Sequence, residues 1–375
     1  MEQNNGPKFS KPRFVQPGES MVPPGSPQEL IVEEEAPALS AEVVDGKEVR
    51  TPNSQKKSQT PLQDSLRRLR KDFRAMFCLG VIAFYVLLAI FGPPIYRMAG
   101  PDYKSNMTNT VIPASVYRDF THQEADRKHE GPSAQYWLGT DSIGRDLFAR
   151  LMQGMLISIA VAAVVELIDI FLGVTVGVLA GYYGGWIDFV LARFTDVIFA
   201  FPGLLFIILL VGILGSKAND TLGNIPVIGA NGNARLLFVS IGLALTVWPL
   251  MARYVRGQTL QLKEQQFVEA ARTSGATDFT IIVRHLIPNL FSIVIIASTL
   301  NIANTIISEA GISLLGLGVQ PPGSSIGLMI SDATTFLENH PWEALMPSFV
   351  LVIIVLAFSF LGDGLRDAFD PRSKD

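Results

Sequence analysis

Six apolar runs, each able to cross a lipid bilayer, constrain this chain more than any other feature. They fall at about 75–96, 157–179, 197–216, 236–252, 289–308 and 344–362. A spanning helix needs about 20 mostly apolar residues. Hydrocarbon offers no partners to backbone polar groups, so such runs must be helical. The pattern predicts an all-α membrane protein with six transmembrane helices and both termini on one side. Composition agrees, since 17% of residues are charged against about 25% in a soluble domain. The one cysteine, Cys78, lies inside the first run, which excludes an internal disulfide.

Residues 1–62 are different material. They are rich in proline (Pro7, Pro12, Pro17, Pro23, Pro24), carry the acidic triplet Glu33 to Glu35, and hold few aromatic residues. Such a segment buries too little apolar surface to offset its ordering entropy. It also lacks the apolar core of a signal peptide. The expectation is a disordered cytoplasmic tail at 1–62, followed by a transmembrane domain at 63–375.

Orientation follows from Lys and Arg beside the spans. Arg67, Arg68, Arg70, Lys71 and Arg74 precede the first run. Arg253, Arg256, Lys263, Arg272 and Arg284 lie between the fourth and fifth, and Arg366, Arg372 and Lys374 follow the sixth. Residues 311–343 contain no Lys or Arg. Both termini and the loop at 253–288 are therefore expected to be cytoplasmic, and the long segment 97–156 outside. Near the end of that segment, Ile143, Leu147, Leu151 and Met155 recur every four residues, with Arg145, Asp146 and Arg150 falling elsewhere. That stripe reads as an amphipathic connector lying in the outer interface.

The second run has two informative features. Gly173, Gly177 and Gly181 share one helix face, which lets another backbone approach closely. Glu166 and Asp169, three residues apart, also share a face. Charge inside a membrane helix is expensive, so both are candidate pathway charges unless they face a neighbouring helix or the interface.

The loop at 253–288 is long, polar and regular. Glu269 suits the first turn of a short helix, where the dipole favours negative charge. Ala270 and Ala271 favour helix and leave a slim face. Gly275 suits the left-handed residue that ends it. A second helix is expected from about Asp278, with Pro288 at a helix start or kink where the fifth span begins. Physically this is a knob joined to spans four and five, through which a partner could move both.

The Glu269-Ala-Ala-x3-Gly275-x9-His285-x-x-Pro288 pattern resembles the "EAA" loop of ABC importer permeases of the dipeptide/oligopeptide/nickel branch. Other segments match that branch in order. They include Trp137-Leu-Gly-Thr-Asp-Ser-Ile-Gly-Arg-Asp146, and Gly181 to Asp188 with Arg193-Phe-Thr-Asp196 and Phe199-Ala-Phe-Pro202. Ser308 to Pro322 and Leu361 to Arg372 complete the set, so the likeness covers about residue 65 to the C-terminus. The subunit resembled is the C-type permease of a type I importer. The resemblance implies a B-type permease partner, two ABC ATPase subunits that bind ATP and Mg, and an extracytoplasmic solute-binding protein. It assigns coupling roles to Glu269, Ala270, Ala271, Gly275 and Pro288, and a structural or gating role to Glu309. It places the chain in a bacterial or archaeal cytoplasmic membrane. The long tail, residues 216–233, and the Glu166/Asp169 pair depart from the family pattern.

No phosphate-binding Gly-x4-Gly-Lys-Ser/Thr loop occurs, so no ATP, metal or other cofactor is expected in this chain. Nor does a serine-hydrolase elbow or a zinc-protease motif. His122, His129, His285 and His340 are scattered in sequence, which speaks against a metal site. No nucleic-acid partner is expected. An ion-gradient transporter remains the alternative; it would show inverted repeats, which are not evident.

Overall fold

The computed structural model describes residues 61–105, 109–222 and 234–369. The expected tail lies outside them, apart from Pro61 and Leu62, which open helix α1 (Pro61–Lys71). Asp72 breaks the chain and caps α2 (Phe73–Met98), accepting a hydrogen bond from the Arg74 amide. Between α2 and the next long helix lie a two-residue β-hairpin, Tyr103–Lys104 with Val111–Ile112, and the single turn α3 (Ala114–Tyr117).

The next helix, α4 (Leu147–Tyr183), begins ten residues before the apolar run expected at 157. Asp146 is its N-cap, accepting from the Phe148 and Ala149 amides at 2.8 and 3.1 Å. The stripe at 143–155 is therefore not a separate interfacial helix. Its helical part is the first turns of α4, and Arg145, Asp146 and Arg150 are buried rather than turned to water.

The run at 197–216 is corrected too. It is no straight span: α5 (Gly185–Ala200) and α6 (Gly203–Leu222) meet at 77°. Phe201 is extended, at φ −76° and ψ 131°, as a residue before proline prefers. Pro202 has no amide hydrogen to continue the helix. Residues 216–222 finish α6, and 223–233 lie outside the described residues.

Helix α7 (Ala234–Leu262) runs ten residues past the expected end of its span. The loop expected at 253–288 thus shrinks to a short crossing that carries α8 (Gln266–Thr273). Then α9 (Asp278–Ile281), a π-helical turn at Ile282–Leu286 and α10 (Ile287–Leu314) form one continuous helix. Pro288 follows that π turn in the first turn of α10, where its missing amide has the least cost. The chain closes with α11 (Ile326–Thr334) and α12 (Pro341–Phe369). Among the described residues, α2, α4, α7, the 278–314 helix and α12 are each long and apolar enough to cross a membrane, and the bent α5–α6 pair brings the number to six if it crosses as one broken span.

Packing centres on α4. A Cβ built at Gly173 would lie 2.5 Å from Met251, one at Gly177 2.6 Å from the Ala252 carbonyl, and one at Gly181 2.7 Å from Thr259. The glycine face therefore seats α7 backbone to backbone. Helix α12 lies against α2 and α10, burying Cys78, Ile82, Ala357 and Leu361 in one cluster.

Candidate functional site

At the end of the bundle where α4 finishes, α8 bridges the two longest packing partners of that helix. Its sequence explains its shape. Gly275 sits at φ +82°, open to a residue without Cβ. The Gly275 amide donates to the Arg272 carbonyl and the Ala276 amide to the Ala271 carbonyl, at 3.0 and 3.1 Å. This pair of bonds is a Schellman closure, with Ala271 and Ala276 packed together beneath it. Val268 is fully buried against α7 and the start of the 278–314 helix and anchors α8 from below. Thr277 caps α9, and Tyr182 at the end of α4 donates to Asp278 at 2.7 Å.

What α8 leaves outward is the other half of its pattern. Glu269, Ala270 and Gly275 are exposed, Ala271 is half-buried, and Pro288 is exposed on the helix that follows. Phe267 and Phe279 flank this surface, the latter 75% exposed. Of the five sequence-expected residues, Glu269 and Ala270 lie on the outward side of this seated helix, Ala271 and Gly275 form its closure, and Pro288 stands apart on the helix that follows. Two arginines of the expected loop, both on α7, are already paired. Arg256 pairs with Asp188 of α5 at 2.7 Å through its second nitrogen, and Arg253 with Asp196 at 2.8 Å.

Glu309 lies far from that surface, on the last turns of α10. It is wholly buried, accepting from Ser158 of α4 at 2.6 Å and Ser313 at 2.7 Å. No cation is bonded to it among the described residues. It locks α10 to α4 through hydroxyl groups. Glu166 and Asp169 also face α10 rather than open space. Both are buried, and Asn301 donates to Glu166 at 3.0 Å and to Asp169 at 3.4 Å. Asp169 Oδ1 has no partner among the described residues. Asn301 and Ser158 went unremarked in the sequence, where a lone polar residue in an apolar run carries no sign of its partner.

The opposite end is a cap built from residues 101–105, residues 109–146 and α11. Asp141 accepts from Arg145 at 2.7 Å and Arg150 at 2.5 Å, and both arginines reach Asp332 of α11 at 3.1 and 2.9 Å. Burial raises the Asp141 carboxyl, but Arg150, Arg145 and two backbone amides outweigh that and hold it below the usual range. Asp146 lacks such a partner; burial pushes it up to about 6, against the pull of its backbone and Tyr96 hydrogen bonds. Arg118, 1% exposed, donates to the Tyr96, Ala134 and Gln135 carbonyls and closes the C-terminal turn of α2. The Trp137–Asp146 segment is therefore a structural staple. The histidines are less scattered than their numbering: His129 and His340 meet beside Glu343.

Comparison with known proteins identifies the class. The family described as binding-protein-dependent transport system inner membrane component matches residues 173–375. The N-terminal transmembrane domain of oligopeptide transport permease C matches residues 60–110. A glutathione transport system permease protein of Pectobacterium atrosepticum is 42% identical over 249 residues, 66% of this chain and 77% of that protein. A dipeptide transport system permease protein of Alkalihalophilus pseudofirmus is 32% identical over 323 residues, 86% and 94% of the two chains. A methionine ABC transporter solved in inward-facing conformations aligns with a TM-score of 0.45 and 20% identity, over 58% of this chain and 95% of that one.

The chain belongs to the binding-protein-dependent transport system inner membrane component family. It is a multi-span permease subunit of an ABC importer. The gradient-driven alternative finds no support among its relatives.

Proposed function

We propose that this chain forms half of the pathway of an importer for glutathione, dipeptides or similar short peptides, and that separate ATPase subunits drive it by gripping α8. The relatives' names support the cargo. One observation supports the coupling: α8 is seated by Val268 yet turns Glu269 and Ala270 outward. A helix held that firmly between α7 and the 278–314 helix moves both when it is moved. A B-type permease completes the pathway and an extracytoplasmic binding protein delivers the solute. Two ATPase subunits bind ATP and Mg and carry out all hydrolysis. Both termini and α8 lie in the cytoplasm, in keeping with the basic residues around them. Glu309, between Ser158 and Ser313, holds α4 and α10 in register as the pathway opens, and Glu166 and Asp169 give the same interface a polar track.

The test uses the assembled importer in liposomes. Glu269→Arg reverses the charge of the proposed contact without touching a buried atom. Loss of one interface hot spot, about 2 kcal/mol, should weaken ATPase retention about thirtyfold. ATP-driven peptide uptake should fall with it while the melting temperature of the chain stays unchanged. Unchanged retention and uptake would remove α8 from the coupling path. Uptake that follows a proton gradient without ATPase subunits would overturn the wider reading.

A further inference from the structure

At the cap end, the fold brings His129 to two side chains more than 200 residues further along the chain. His129 comes from the segment before α4, His340 directly precedes α12, and Glu343 lies in the first turn of α12. One ligand atom from each lies within 4.8 Å of the others. The rings of His129 and His340 stack at 4.1 Å with 7° between their planes, and His129 Nδ1 bonds Glu343 Oε1 at 2.7 Å. Glu343 is buried. His340 Nδ1 is also buried, with no hydrogen-bond partner among the described residues.

We infer that these three residues form a site for a first-row divalent cation, zinc above all. Two imidazoles and one carboxylate make a borderline donor set that suits zinc and disfavours magnesium or calcium. They supply three of the four ligands of a tetrahedral ion, water taking the fourth place. Ligand atoms around zinc stand roughly 3.4 Å apart, given bonds of about 2.1 Å. A rotation of the His340 side chain out of its stack would bring the observed spread, up to 4.8 Å, to that distance. The ion replaces the His129–Glu343 hydrogen bond and gives the buried His340 nitrogen a partner.

Its surroundings suit a bound ion. Phe336 packs on His129 at 4.6 Å and Trp342 on His340 at 5.1 Å, which keeps bulk water from two sides. The His129 amide donates to the Asp141 carbonyl, so the first ligand is fixed to the arginine–aspartate staple. The Glu343 amide donates to the His340 carbonyl, which fixes the other two relative to each other. Zinc here would reinforce the tie between the long segment before α4 and the start of α12, where the His129–Glu343 hydrogen bond and the His129–His340 stack already join them. This is a site on the cap and does not depend on the peptide cargo or on α8.

The experiment uses the full-length chain, purified in detergent with a tag free of histidine. After treatment with a chelator, zinc chloride is titrated by calorimetry and bound metal is counted by mass spectrometry. One zinc per chain is expected, together with a zinc-dependent rise in melting temperature. Two mild substitutions remove ligands without threatening the fold. His129 sits at φ +55°, a conformation asparagine tolerates, so His129→Asn keeps the backbone. Glu343→Gln keeps a hydrogen bond to His129. Each should weaken zinc binding by more than the roughly 10–100-fold that loss of an outer-shell partner costs, and abolish the thermal shift. No stoichiometric zinc in the wild-type chain would overturn the proposal and leave an ordinary His–Glu hydrogen bond. Equal binding by wild type and both variants would overturn it as well, by placing the ion elsewhere.

Discussion

The two ends of the helical bundle are built on opposite plans. The cap end is closed: Arg118, Arg145, Arg150 and Asp141 are buried, and their partners are in the same chain. The α8 end is open: below it Val268 is sealed, while Glu269, Ala270, Phe267 and Phe279 face outward. One end spends its charges on holding itself together, and the other leaves polar and apolar groups exposed. Charge alone would not reveal this, since both ends are rich in arginine. Burial separates them.

The largest effect is expected where the closed end is broken. Arg150→Met removes a cation that is 1% exposed and leaves Asp141 and Asp332 without one of their two arginines. Breaking a buried ion pair from one side costs about 3–5 kcal/mol. A thermal melt of the purified chain should show a marked loss, with poor yield. A melt unchanged from wild type would mean the cap is no more rigid than α8.

Between the ends runs the α4–α7 seam. Gly177→Val forces a branched side chain toward the Ala252 carbonyl and Val255. Overpacking of this kind costs about 1–3 kcal/mol. The matched control is Gly80→Ala on α2, where nothing lies within 4 Å of the new Cβ. There the helix gains up to about 1 kcal/mol from the better helix former. If both substitutions shift the melt equally, close backbone approach is not what seats α7.

At the open end, Gly275→Ala is milder for stability and worse for function. The left-handed turn at φ +82° costs a residue with a Cβ roughly 1–2 kcal/mol. That strain falls on the Schellman closure, which sets the direction of α8. ATP-driven uptake should fall several-fold while the melt moves by only a few degrees. Uptake loss in proportion to unfolding would make α8 a structural turn.

These sites differ in how legible they were. The shape of α8 could be read from local signals: an acid in the first turn, alanines, then a glycine that suits a left-handed turn. The glycine stripe of α4 was readable as a packing face, but its partner α7 was not. Local signals misled at 143–155, where a four-residue apolar period suggested a surface helix. Arg150 and Asp332 stand 182 residues apart, so the sequence near Arg150 shows one of its carboxylates, Asp141, but not the second one that helps bury it. The same distance problem hid the pairing of His129 with His340. At 197–216 the apolar run outweighed a clear breaker: Pro202 was visible, yet hydropathy averages across it.

The smallest effect is a pH test within the cap. Asp146 rises to about 6 because burial disfavours its charge. A carboxyl raised on folding binds protons more tightly in the native state, so it favours the fold at low pH. That contribution is present below its unfolded value of about 3.9 and is lost as pH rises through about 6. Asp141 is held below the usual range, so it acts in the reverse sense: its contribution is present above about 4 and disappears as pH falls through its folded value. The windows do not overlap, so they can be separated. Asp146→Asn keeps a strong N-cap for α4 and removes the titrating group. Melting temperature followed from pH 4 to 7 should decline less steeply in Asp146→Asn than in wild type, with little difference between them near the acid end. Identical slopes would mean that the Asp146 carboxyl keeps its ordinary value, and that the closed end admits more water than its burial implies.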